Sequence, residues 1–266
     1  MEKVEHLREM LRANSPLLIA YSGGVDSTYL LAEAVEILGS RVLAVIADSP
    51  SLPRKALQSA IDVAASLHAR LQIMKTSELE KPEYAANPVN RCYFCKAELF
   101  RRMTDVAQNE HFSALAYGEN ADDALELRPG AQAANEFRVL APLRTVGLTK
   151  SEIRFLSRMR GLPTADQPAQ PCLSSRVQHG TPINHAVLSM VERAEETVRR
   201  YGFQIFRVRY LRDSNGLPTA KLQVAPAELE RLTTHWPHIH PALISIGFGA
   251  AFWDPAGYRP PARQSK

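Results

Sequence analysis

The chain has 266 residues, 45% of them hydrophobic, and its 32 basic residues exceed 28 acidic ones for a net charge of +4. That is enough to bury one large core or two unequal ones, and no apolar run is long enough to span a bilayer, which excludes a helical membrane protein. The modest positive balance suits anionic small molecules such as nucleotides; no dense basic stripe points to nucleic acid, and the charged start MEKVEHLREMLRANSP predicts a cytoplasmic chain without an export signal.

An apolar run at 16–20 leads into a helical pattern whose Leu31, Ala34, Val35 and Leu38 share one stripe and which stops at Gly39. Further β-branched runs at 41–46, 71–74 and 112–117 alternate with helices expected over 53–67 and 95–109, and a short helix follows Leu148-Thr149-Lys150. This alternation predicts an α/β fold, a parallel sheet with helices on both faces. From Gly161 the proline-rich GLPTADQPAQPCLSSRVQHGTPI reads as a linker or a functional loop. Beyond it, Val187, Val191, Ala194, Val198 and Tyr201 form a helical stripe, and alternating segments at 203–211 and 219–225 flank the turn-rich Asp213-Ser214-Asn215-Gly216. A helix over 226–234 and a strand over 243–248 would close a small α+β domain. The expected division is 1–165, a loop at 166–181 carrying the third cysteine, an α+β domain at 182–252, and a proline-rich tail at 253–266.

The first strand delivers Ser22-Gly23-Gly24-Val25-Asp26-Ser27 to the start of the first sheet-covering helix. A Gly-Gly turn at a helix N-terminus makes an anion site, because free N–H groups point outward and the helix dipole adds positive charge. Ser22 and Ser27 add hydroxyl donors. The loop lacks the lysine of a Walker motif, so it is not built to hold a γ-phosphate for transfer, and G-x-G-x-x-G is missing too. A tight turn with an N-capping serine is the plainer alternative. As a string, the six residues resemble the pyrophosphate loop SGGxDS of the N-type ATP pyrophosphatases, or PP-loop proteins. That resemblance implies ATP cleaved between its α- and β-phosphates, adenylation of a substrate oxygen, and pyrophosphate leaving with help from Mg²⁺ held in part by Asp26. Asp48 and Ser49 follow the second strand at the carboxyl edge, where open α/β sheets bind ligands, as ribose or adenine contacts or as a cap on the next helix. Asn120, Asp122 and Asp123, after the fourth strand, raise the same two options.

Cys92 and Cys95 stand at a helix start in NRCYFCKAELF, and Cys172 follows in QPCLSSR. A helix N-terminus lowers thiol pKa, so the pair are candidate thiolates. C-x-x-C serves zinc and redox chemistry alike; a structural zinc would need a fourth ligand such as His179, whereas three thiolates on a 4Fe–4S cluster would leave one iron open to an outside sulfur. Ser175 and Arg176, three and four places after Cys172, could orient an anionic substrate beside that sulfur.

The order of phosphate loop, DSPSLPR, RCYFCK, GENADDALELRPG and QPCLSSR is similar to that of the LarE family, sulfur transferases that help make the nickel-pincer nucleotide cofactor. The resemblance implies that a carboxylate of a pyridinium biscarboxylate mononucleotide is adenylated and converted to a thiocarboxylate. Cys172 would either surrender its own sulfur or, with Cys92 and Cys95, hold a 4Fe–4S cluster that passes on sulfide. A homo-oligomer is also implied.

In Phe206-Arg207-Val208-Arg209-Tyr210 the period-two rule puts both arginines on one face, and a hairpin turning at 214–216 sets Arg209 opposite Lys221 and Arg207 opposite Gln223. Three cations on one face call for a phosphate or carboxylate of the mononucleotide, or else make a solvated basic surface. The family resemblance adds Glu195 of the preceding helix, while Gln223 stands where relatives often carry an acid. The rival readings are a tRNA-thiolating enzyme and a non-catalytic ATP or AMP sensor.

Overall fold

The computed structural model describes residues 2–125, 129–168 and 171–258. The chain divides into two compact units, Met1–Tyr84 with Val89–Gln170 and Ala85–Pro88 with Pro171–Lys266.

Unit 1 runs α1 (Glu2–Ala13), β1 (Leu17–Ala20), α2 (Val25–Leu38), β2 (Val42–Asp48), α3 (Arg54–Ser66), β3 (Leu71–Lys75), α4 (Pro82–Ala85, ending across the division), α5 (Arg91–Asn109), β4 (Ala114–Tyr117), α6 (Pro129–Glu136), α7 (Pro142–Thr145) and α8 (Lys150–Met159). The four strands form a parallel sheet in the order β3-β2-β1-β4. Side chains alternate across it. Leu17 and Ile19 face a core with Leu7, Leu11, Leu30, Leu31 and Ile153, whereas Leu18 and Val45 face Ala97, Phe100, Met103 and Ala134. Both faces are covered, so the strands carry continuous apolar runs, as a buried parallel sheet requires. Of the predicted stripe on α2, Leu31, Ala34 and Leu38 are buried and Val35 packs against them. Helix α5 begins four residues earlier than the periodicity indicated, which brings Cys92 and Cys95 inside its opening turns.

Unit 2 holds α9 (His185–Arg200), β5 (Phe206–Arg212), β6 (Pro218–Val224), α10 (Leu229–Ile246) and β7 (Ala250–Trp253), with sheet order β5-β6-β7. Strands β5 and β6 are antiparallel with Arg207 opposite Gln223 and Arg209 opposite Lys221, the register expected from the turn. Phe206, Val208, Tyr210, Ala220, Leu222 and Val224 line the buried face. The strand expected at 243–248 is instead the end of α10, and the closing strand is β7. The helix expected over 226–234 therefore runs on to Ile246, through Pro237 and Pro241, both of which lie on the exposed side of α10. Both rings sit away from the buried stripe Leu232, Ile239 and Leu243, which continues past them. Residues 254–258 fold back along β6, with Asp254 N–H donating to Leu222 O and Tyr258 N–H to Val224 O. The rest of the proline-rich tail, 259–266, lies outside the described residues. Among the described residues, no helix is long and apolar enough to cross a membrane.

Candidate active site

Two sets of candidate residues emerge, one in each unit. In unit 1 the loop is already shaped. Ser22 N–H donates to Ser27 Oγ at 3.2 Å, the two serine hydroxyls lie 3.0 Å apart, and Ser27 Oγ donates to Gly24 O at 3.1 Å. Gly23 has φ +73°, and a Cβ there would come within 2.6 Å of Ala60 Cβ, so only glycine fits. The residue before α2 is Gly24, and no side chain caps the helix; the N-capping-serine reading therefore falls, and the first-turn amides are left for an anion. Val25 is buried in the core, so only its backbone is offered to a ligand.

Asp26 Oδ2 receives Lys150 Nζ at 2.6 Å and Asn120 Nδ2 at 3.2 Å. Asn120, itself buried, also donates to Asp123 Oδ2 at 2.8 Å, and Asp122 Oδ2 accepts from Lys150 N–H at 3.0 Å. The structure thus gathers Asp26, Asn120 and Asp123 and adds Lys150, which the sequence reading treated only as a helix start. Its signal was faint, because it stands 124 residues from Asp26. Asp26 Oδ1 is buried and, among the described residues, has no hydrogen-bond partner. A carboxylate oxygen left over beside an anion loop fits Mg²⁺, a hard cation that takes one or two carboxylates together with phosphate oxygens.

Asp48 does not cap α3, whose cap residue is Pro53; it pairs with Arg54, which also donates to Ser49 O at 2.6 Å. The Ser49 hydroxyl is buried between Ser51 Oγ, at 2.8 Å, and Glu78. Asp48 and Ser49 therefore build the loop at the carboxyl edge of β2, and Ser51 and Glu78 are the members of that arrangement which sequence reasoning missed.

Cys92 is exposed and Cys95 partly buried, three residues apart at the start of α5. Thiolates are the right donors for an iron–sulfur cluster. Among the described residues, however, no three His, Cys, Asp or Glu side chains gather as a ready-made metal site.

In unit 2, Arg176 is not held out toward solvent for a substrate. It is buried and paired with Glu195 at 2.8 Å, while its Nη1 donates to Pro171 O, Cys172 O and Ser175 Oγ at 2.5, 3.2 and 3.0 Å. Ser175 Oγ donates to Cys172 O at 2.7 Å. Both residues thus clamp the backbone that carries Cys172, and Glu195, expected beside Arg207 and Arg209, anchors the clamp. Glu195→Ala would leave a buried guanidinium unpaired, so it is expected to cost unit 2 about 3–5 kcal/mol in urea unfolding. A loss below about 1 kcal/mol would show that the pair carries little.

Arg209 Nη1 donates to Ser175 O at 3.1 Å and its Nε to Gln223 Oε1 at 2.9 Å. Burial lowers the pKa of both Arg207 and Arg209, with Arg176 adding to the effect. Among the described residues neither arginine has an ion-pair partner, although Glu195 acts on both at longer range, and two half-buried guanidiniums so placed are candidates for an outside anion.

No protein-family model matches the chain. An uncharacterized protein of Synechocystis is 39% identical over 229 residues, 86% of this chain and 84% of that one. Over 242 residues, 91% of this chain and 86% of the relative, it is 28% identical to a pyridinium-3,5-bisthiocarboxylic acid mononucleotide synthase of Lactiplantibacillus plantarum. A more distant match, 24% over 183 residues, covers 60% of this chain and 34% of a glutamine-hydrolyzing GMP synthase of Chlamydia caviae. A parallel sheet feeding an SGGxDS loop into α2 is the architecture of the PP-loop superfamily. Within it, the chain belongs to the LarE family.

Proposed function

We propose that the protein is an ATP-dependent sulfur transferase that converts a carboxylate of pyridinium-3,5-biscarboxylate mononucleotide to a thiocarboxylate for the nickel-pincer cofactor. The observation that carries this reading is the likeness, over 91% of this chain, to a protein named for making the bisthiocarboxylic acid mononucleotide. A carboxylate oxygen attacks the α-phosphorus of ATP, the α–β bridging bond breaks, and pyrophosphate leaves. The loop 22–27 receives the pyrophosphate and Lys150 balances part of the negative charge that develops, while Asp26 would hold Mg²⁺, which when bound supplies further positive charge. A sulfur nucleophile then attacks the acyl carbon, and the carbon–oxygen bond to AMP breaks. In the sacrificial route the nucleophile is Cys172. Its Cα proton is then lost, its Cβ–S bond breaks, and the thiocarboxylate leaves behind dehydroalanine. The alternative source is a 4Fe–4S cluster on Cys92, Cys95 and Cys172, which when bound would supply sulfide; the three thiols in the sequence support it. Arg207 and Arg209 receive the substrate phosphate, while Arg176, Ser175 and Glu195 hold the Cys172 loop in place.

The test is a paired measurement on anaerobically prepared protein: pyrophosphate release from Mg-ATP with the pyridinium dicarboxylate, and iron with acid-labile sulfide. Substrate-dependent pyrophosphate release is expected. Its absence would overturn the transferase reading in favour of an ATP or AMP sensor. Protein that stays iron-free after reconstitution, and loses the elements of H₂S from its intact mass on turnover, would refute the cluster and leave the sacrificial route.

A further inference from the structure

Asp254 lies outside every motif that the sequence singled out, yet it reaches three groups around the cationic face of the unit 2 sheet. Its Oδ2 accepts from Lys221 Nζ at 2.9 Å and from Gln223 Nε2 at 2.8 Å, and its Oδ1 accepts from Ala256 N–H at 3.0 Å. These bonds, Lys221 first, hold its carboxyl below the usual range. Gln223 offers its other amide atom to Arg209 Nε at 2.9 Å. Ala256 belongs to a turn that Gly257 N–H closes onto Asp254 O at 2.9 Å and that returns the chain to β6 through Tyr258 N–H and Val224 O. Gly257 sits at φ +67°, and a Cβ there would stand 2.8 Å from Val224 O. The turn lays the Tyr258 ring against Arg207, whose guanidinium carbon is 4.5 Å from the ring centroid.

We propose that Asp254 is the positioning residue that sets Arg207 and Arg209 as a preformed cradle for a phosphate monoester dianion. It braces Arg209 through Gln223 and Arg207 through the 255–258 turn and Tyr258. By neutralising Lys221 it leaves two of the three cations on this face, Arg207 and Arg209, without an ion pair among the described residues, which matches the charge of the dianion. Arginines already held in one geometry lose less freedom on binding, so the braces act on affinity. The arrangement also explains the amide at 223. A glutamate there would neutralise Arg209 and face Asp254 as a like charge, whereas glutamine donates to one and accepts from the other. The proposal rests on the reading that the substrate mononucleotide's phosphate binds this face.

The experiment is calorimetric titration of the full chain with ribose 5-phosphate, with ribose as control. Arg207→Ala is expected to weaken binding at least about tenfold; Tyr258→Leu and Gln223→Leu weaken it about three- to tenfold each, and Asp254→Ala at least as much as either. Tyr258→Phe, which keeps a ring face, binds within about twofold of the parent. If the parent does not prefer ribose 5-phosphate to ribose, or Arg207→Ala binds equally well, the placement of the phosphate on this face falls. If Arg207→Ala weakens binding while Tyr258→Leu and Gln223→Leu do not, that placement stands and the role of Asp254 falls. Unfolding midpoints of Tyr258→Leu and Gln223→Leu equal to the parent's keep the result from being one of misfolding.

Discussion

A Cys172→Ala variant is expected to release pyrophosphate from ATP with the pyridinium dicarboxylate at close to the parent rate and to transfer no sulfur. In the proposed reaction activation and transfer are chemically separate: the first would break a P–O bond at the loop of unit 1, and the second would need a thiolate or sulfide. Both sulfur routes pass through Cys172, so its removal leaves an acyl adenylate with no partner but water. The loop should keep its shape, because Arg176 and Ser175 donate to the backbone carbonyl of Cys172, which the substitution leaves in place. Thiocarboxylate product and pyrophosphate are measured in the same reaction. Product formation by the alanine variant would refute the sacrificial and the cluster route together.

Asp26→Asn is expected to lower pyrophosphate release about 10²- to 10³-fold, the size seen when one preorganised group is removed from a site of developing charge. Two effects combine. The carboxylate oxygen that fits Mg²⁺ becomes neutral, and Lys150, 2.6 Å from Asp26 Oδ2, loses the partner that aims it. Because the 22–27 backbone is left intact, the loss should fall on kcat more than on the KM for ATP. Steady-state kinetics at saturating Mg²⁺ separates the two. A change under about threefold would remove Asp26 from the chemistry.

The strand–Gly-Gly–helix turn at 22–27 was legible because its six residues are consecutive and its geometry is local. The β5–β6 register was legible for the same reason, since one turn fixes it. What escaped the sequence reading was set by contacts between distant elements. Lys150 reaches Asp26 only because α8 starts where the segment after β4 ends, with Asp122 receiving its N–H. Arg176 read as a ligand for substrate because an arginine beside a nucleophile often is one; that α9 would bury Glu195 against it is a property of packing. The end of α10 escaped because the 243–248 run is as apolar as a strand, and only its packing as a continuation of the stripe of Leu232, Ile239 and Leu243 makes it helix.

One detail of the chain's path limits how the protein can be divided. Residues Ala85–Pro88 belong to unit 2 although unit 1 flanks them on both sides. Asn87 Nδ2 donates to Gln178 O and Thr181 O at 2.8 and 3.1 Å, Gly180 N–H donates to Asn87 O at 3.0 Å, and Ile183 N–H to Ala85 O at 2.7 Å. A fragment beginning at Pro171 would therefore lack a four-residue strap and uncover the carbonyls and amides that it satisfies. No single cut in the gene yields both halves whole. Fusions, truncations and domain exchanges in this family need either to carry the strap across or to keep the chain entire.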